Sequence, residues 1–221
     1  MSSNLMDVEY QEKTVFKALE ELDDRLADMN VTPFELSVVG GFALLLEGIR
    51  MSDYTDIDYI GDEFNSKVKD IIEEVGMKYG LGRGWINNDV LLADSCLEEL
   101  ENTTGSLKFN KKLELKVITV NTLDKKCLLR MKVIAVDTSY AGMSFGGGEF
   151  TRQKDFNDIK LLSENLGMSY NDIVRSNYDY VICPEIFFMI RWYMRFNDPL
   201  VFSDRDAIDE IIITKGLIDV R

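Results

Sequence analysis

The sequence predicts an α+β chain in two parts, a sheet-bearing part over residues 1–121 and a helical part over residues 122–221. Three observations predict it. "FELSVV", "TDIDYI" and "KLELKVITV" are short β-rich runs with helical periodicity between them. Glycine-rich stretches such as Gly40-Gly41 and "GLGRGW" supply the turns. Beyond residue 121 the pattern is helical and its punctuation is that of helix caps. No repeat, low-complexity tract or linker intervenes.

Taken in order, Val15, Leu19, Leu22, Leu26 and Met29 recur at spacings of four and three, which predicts an amphipathic helix over about residues 9–29, closed by "NVTP". "FELSVV" then runs as a strand into Gly40-Gly41, and "FALLLEGI" holds strong helix formers, giving strand, tight turn, helix. "TDIDYI" is the next strand, and after "GDEFNS" a helix carries Phe64, Val68, Ile71, Ile72 and Val75. Between Gly76 and Gly105, "GLGRGW" reads as loop and "VLLAD" as strand, while "KLELKVITV" reads as one strand.

Asn121 or Thr122 is placed to cap a helix over "LDKKCLLRMKVIAVDT". A loop with Gly146, Gly147 and Gly148 precedes a second helix, "TRQKDFNDIKLLSENLG". Ser169 with Asp172, and Ser203 with Asp206, have capping-box spacing, and Pro184 suits the first turn of "PEIFFMIRWYMRFN".

Composition excludes whole classes of chemistry. The 221 residues include no histidine. Ser-His-Asp triads, Cys-His pairs and H-E-x-x-H zinc sites are therefore absent, and catalysis must rest on carboxylates, lysines, arginines, hydroxyls and bound metal. Cys96, Cys127 and Cys183 lie far apart and read as reduced thiols rather than zinc ligands or disulfides. No apolar run approaches the roughly 20 residues that cross a bilayer. "MSSNLMDVEYQEK" lacks the order of a signal peptide, so a cytoplasmic protein with no membrane partner is expected.

With 39 acidic against 25 basic residues the net charge is −14, which argues against non-specific DNA binding. The charge is uneven. From Lys108 to Lys132 there are eight basic and two acidic residues, a segment of +6 that leaves −20 elsewhere. Such a segment is either a solvated face or a site for phosphates or an acidic partner.

The pair Asp56 and Asp58 carries the most specific chemistry. On a strand they leave the same face about 7 Å apart, and two carboxylates so placed repel unless a cation sits between them. Hard oxygen donors select Mg2+ or Mn2+, and these bind nucleotide phosphates. A bare D-x-D also fits a solvent-facing strand edge. Gly40-Gly41, between a strand and a helix, adds bare backbone N–H groups that a phosphate can approach without meeting a side chain.

With "VVGGFALL" followed by "DIDYI", the chain resembles the nucleotidyltransferase superfamily that includes DNA polymerase beta and the aminoglycoside and minimal nucleotidyltransferases. "GGFALLLEGIR", "YTDID", "WINNDV", "LLRMKVIA" and "RQKDFNDIKLL", in that order over residues 38–162, narrow the resemblance to the AbiEii-like group of toxin–antitoxin and phage-defence systems.

The resemblance implies a nucleotidyltransferase-fold mixed sheet flanked by helices, followed by a C-terminal helical domain packed on it. It implies a metal-dependent enzyme that moves NMP from an NTP to an acceptor hydroxyl on an RNA or tRNA end, a protein or a small aminoglycoside-type compound, with a cognate antitoxin as a further partner. A catalytically inactive nucleotide- or partner-binding module is the alternative. Asp56 and Asp58 become metal ligands, and Gly40 and Gly41 the phosphate loop. Arg50, Thr55, Lys132, Arg152, Lys154, Asp155 and Asp158 become nucleotide-side residues. Glu114 in "LEL" takes the place of the third carboxylate, with Asp89 and Asp94 as rivals. On this scheme Lys132 and Lys154 stand apart from carboxylates until a triphosphate arrives; ion pairs between these residues are the plainer alternative.

Overall fold

The structure is a computed structural model, and it describes residues 3–50, 56–88, 109–144 and 153–197. The chain divides into two units, Met1–Asp124 and Lys125–Arg221. "VLLAD", Gly146, Gly147, Gly148, Ser203, Asp206 and Cys96 lie outside the described residues.

The first unit runs α1 (Ser3–Asp28), β1 (Phe34–Val38), α2 (Gly40–Leu46), β2 (Ile57–Ile60), α3 (Ser66–Lys78), β3 (Ile86–Asn87), β4 (Phe109–Glu114) and β5 (Ile118–Leu123). The strands form one mixed sheet in the order β3-β2-β1-β5-β4. β1 is antiparallel to β2 and parallel to β5, β2 is parallel to β3, and β4 is antiparallel to β5. The α+β reading with a mixed sheet and flanking helices therefore stands.

Strand alternation sorts the sheet into two unlike faces. Leu36, Val38, Ile57, Tyr59, Ile118 and Val120 share one face and are all buried. Phe64, just before α3, joins that face through ring contacts with Phe34 at 5.6 Å and Tyr59 at 4.9 Å. Val15, Leu19, Leu22 and Leu26 of α1 and Val68, Ile71, Ile72 and Val75 of α3 are buried at the predicted helical spacing. The opposite face carries Glu35, Ser37, Asp58, Ile60, Asn87, Thr119 and Asn121. It is polar, and Asp58 belongs to it.

Trp85 anchors the β3 end. It is buried, and its indole Nε1 donates to the Ile72 carbonyl of α3 at 2.7 Å. Gly76 makes room for the ring, since a Cβ there would lie 2.3 Å from Trp85 Cδ1 and 2.2 Å from the Gly82 carbonyl oxygen. "GLGRGW" thus folds as a loop that carries a core tryptophan into β3.

"KLELKVITV" differs from expectation, because it forms two strands rather than one. The chain reverses at Leu115–Val117, and the Asp23 carboxylate of α1 holds the reversal by accepting from the backbone N–H groups of Lys116 (2.8 Å), Val117 (2.9 Å) and Ile118 (2.8 Å). Leu113, Leu115 and Val117 alternate with polar residues up to the turn, and the phase shifts where Val117 and Ile118 stand side by side.

A second difference lies at the start of the helical unit. Asn121 and Thr122 are strand residues rather than caps; the Asn121 amide donates to Glu35 at 2.9 Å and the Thr122 hydroxyl to Glu47.

The second unit comprises α4 (Lys125–Ser144), α5 (Gln153–Leu166), α6 (Tyr170–Asn177), a 3-10 turn (Tyr178–Tyr180) and α7 (Ile186–Phe196). α4 packs on α5 and α7, around Leu129, Val133, Val136, Tyr140, Phe156, Ile159 and Ile190. Ser169 and Asp172 form the expected capping box at α6. Asp137 of α4 accepts from the backbone N–H groups of Ile182 (2.7 Å) and Cys183 (2.8 Å), tying α4 to the segment that enters α7. Burial pushes its carboxyl above the ordinary value, against the pull of those two donors.

Candidate active site

The site begins with a backbone junction. The Val39 N–H donates to the Asp58 carbonyl at 2.9 Å, which joins the end of β1 to β2 where the glycine turn departs. Gly40 then takes φ +67, a left-handed conformation that favours glycine, and α2 starts at that residue.

Gly40 also lacks room for a side chain. A Cβ there would lie 2.4 Å from Asp58 Oδ2. The aspartate carboxylate thus rests directly against the glycine turn. The sequence places the glycine pair and the D-x-D near one another only by order along the chain; the fold brings Gly40 and Asp58 together.

Asp56 is exposed and immediately precedes β2, and Asp58 is half-buried within it. Ile57 and Tyr59 alternate with them into the apolar face. Asn87 of β3 is the register partner of Asp58 and shares its face. Its amide donates to the Gly84 carbonyl at 3.2 Å.

Glu47, at the far end of α2, had no part in the sequence reading. Its side chain is 4 % exposed and lies 2.9 Å from Lys112 Nζ, and it also accepts from the Thr122 hydroxyl. This buried carboxylate fastens the end of α2 to β4 and β5 and thereby fixes the helix that begins at Gly40. The available signal was a single acid closing the apolar run "FALLLEG".

Glu114 does not join the aspartates, which corrects its assignment as third carboxylate. It pairs in register with Thr119, which lies beside Glu35, whereas Asp58 lies beside Val39. That is four residues along β1 and three strand spacings across, roughly 20 Å. Glu114 is exposed and pairs with Lys111 at 2.7 Å. The physical reason is the Asp23-held turn, which puts "LEL" on an edge strand. Among the described residues no group of three acids is placed to hold a metal. Asp89, Asp94 and Thr55 lie outside the described residues. Arg50 follows α2, and its N–H donates to the Leu44 carbonyl at 3.3 Å.

In the helical unit, Lys132, Asp155 and Asp158 come together. Lys132 Nζ lies 2.5 Å from Asp155 and 2.9 Å from Asp158, with both carboxylates fully buried and the lysine side chain 12 % exposed. Burial works against the ammonium charge, but the two carboxylates outweigh it and hold Lys132 above its ordinary value. The expectation that Lys132 stands apart from carboxylates is therefore corrected. Lys154 is on the exposed side of α5, and Arg152 lies outside the described residues.

The basic segment is likewise broken up by local acids. Lys111 pairs with Glu114, Lys112 with Glu47, Lys116 with Asp24 and Lys132 with the two aspartates. Four of the eight positive charges of the segment are so matched.

Among the described residues no helix is long and apolar enough to cross a membrane. No family model, curated protein or solved structure matches the chain.

Proposed function

We propose that the chain is a metal-dependent nucleotidyltransferase that moves NMP from an NTP to an acceptor hydroxyl. The observation that carries this reading is the seating of the Asp58 carboxylate against the bare Gly40 turn. It supports a site in which an Asp58 carboxylate oxygen and the start of α2 share one small volume, where a cation could bridge the carboxylate and a triphosphate.

The residues present suit Mg2+ or Mn2+ as hard oxygen donors from one strand face, with Asp56 and Asp58 as the ligands. Such an ion would supply charge neutralisation at the triphosphate. The chain's own part is positional. Strand β2 fixes Asp58, the Val39–Asp58 hydrogen bond fixes the turn beside it, and Glu47 fixes the helix behind it. Gly40 and Gly41 admit phosphate to the backbone. Lys132, Asp155 and Asp158 serve the helical unit as a buried ion cluster.

A second reading, a nucleotide- or partner-binding module without turnover, is favoured by the distance of Glu114 from the aspartates. One experiment separates the two. The purified protein is incubated with each α-labelled NTP, Mg2+ and either total cellular RNA, protein extract or aminoglycosides. Label transferred to any acceptor supports the enzyme; magnesium-dependent NTP binding without transfer supports the module; neither result removes both.

A further inference from the structure

Asn87 pairs in register with Asp58 on the parallel strand β3, as Ile86 pairs with Ile57. Register partners on adjacent strands leave the sheet on the same face, with their backbones about 4.8 Å apart. Ile57 and Ile86 turn to the core and are buried, so Asp58 and Asn87 stand together on the polar face, both half-buried.

β3 has only two residues, yet the core holds it in place. The Ile57 N–H donates to the Trp85 carbonyl at 2.6 Å, and the buried Trp85 ring donates through Nε1 to the Ile72 carbonyl at 2.7 Å. Asn87 thus follows directly on two anchored residues. Asparagine is a poor strand former, and core packing does not call for it at a position that faces away from the core.

Its side-chain amide is oriented as well. The terminal atom 3.2 Å from the Gly84 carbonyl is the nitrogen, because a carbonyl oxygen only accepts. The other terminal atom is therefore Oδ1, a neutral hard oxygen of the kind that joins carboxylates around divalent cations.

Charge favours a carboxamide here. Asp56 and Asp58 already place two negative charges on one strand face, and a third acid one strand spacing from Asp58 would add to their repulsion whenever no cation is bound. Asparagine supplies the oxygen without that charge.

We infer that Asn87 is a ligand of the divalent cation assigned to Asp56 and Asp58, giving it a third, uncharged oxygen in place of the carboxylate that Glu114 does not provide. The inference rests on the reading of the two aspartates as a metal site.

Mn2+ titrated into the full chain, with the free ion counted by electron paramagnetic resonance, tests it without recourse to turnover. Wild type is expected to take up Mn2+, and Asp56→Asn with Asp58→Asn to lose that uptake. Asn87→Ala should weaken the affinity at least about tenfold, since even residues one layer outside a metal's ligands act on that scale. Asn87→Asp separates a ligand from a brace. An aspartate cannot donate to the Gly84 carbonyl, so a residue that only braced the loop would lose affinity in both variants, whereas a ligand gains from the added carboxylate. Binding several-fold tighter than wild type is the expected result for Asn87→Asp. The half-buried position tolerates both changes, and thermal melts establish that each variant is folded. Unchanged affinity in folded Asn87→Ala, or weaker binding by folded Asn87→Asp, would overturn the inference and leave the aspartate site standing. Failure of wild type to take up Mn2+ would overturn both.

Discussion

Asp58 occupies the space in which a side chain at Gly40 would begin, with Oδ2 2.4 Å from the position of an ideal Cβ. Two features that the sequence shows eighteen residues apart are thus one structural unit.

That unit is testable by a double-mutant cycle. Gly40→Ala forces a side chain into a left-handed backbone and against the carboxylate, and should cost at least about 2 kcal/mol. In an Asp58→Ala background the contact disappears and only the backbone strain of about 1 kcal/mol is left. Chemical denaturation of the four proteins measures the coupling; strictly additive costs would mean that the carboxylate and the turn do not touch.

Lys132→Met leaves two buried carboxylates facing each other without their cation, and should destabilise the chain by about 3–5 kcal/mol. The pH dependence has a definite sign. In wild type the raised Lys132 value means its contribution is complete below the ordinary 10.5 and lost only at higher pH. A gap to wild type that is independent of pH would show that the cluster does not carry this charge balance.

Asp23→Ala removes the acceptor for three backbone N–H groups at the β4–β5 turn. A loss of about 3 kcal/mol is expected, with faster amide exchange at Lys116, Val117 and Ile118 ahead of the rest of the sheet. Uniform exchange across the sheet would assign the turn's stability to other contacts.

The legible parts of the sequence were those with local cause. The apolar stripes of α1 and α3, the glycine turn and the Ser169–Asp172 box all declare themselves within a few residues. What was illegible depended on distant partners. The break in "KLELKVITV" is made by Asp23, which lies 93 residues before Lys116, and the failure of Glu114 as a third carboxylate follows from that turn. Lys132 looked available because Asp155 and Asp158 come from another helix. Glu47 passed as an ordinary acid at a helix end because Lys112 and Thr122 reach it only in the folded sheet.

The account stands most directly on whether Asp56 and Asp58 make a metal–nucleotide site against the Gly40 turn. Calorimetry of a non-hydrolysable NTP with and without Mg2+, on wild type and on Asp56→Asn with Asp58→Asn, measures it. Binding that needs Mg2+ in wild type and is lost in the folded double variant is the predicted result. Binding of equal strength in both proteins, or indifferent to Mg2+, would contradict it.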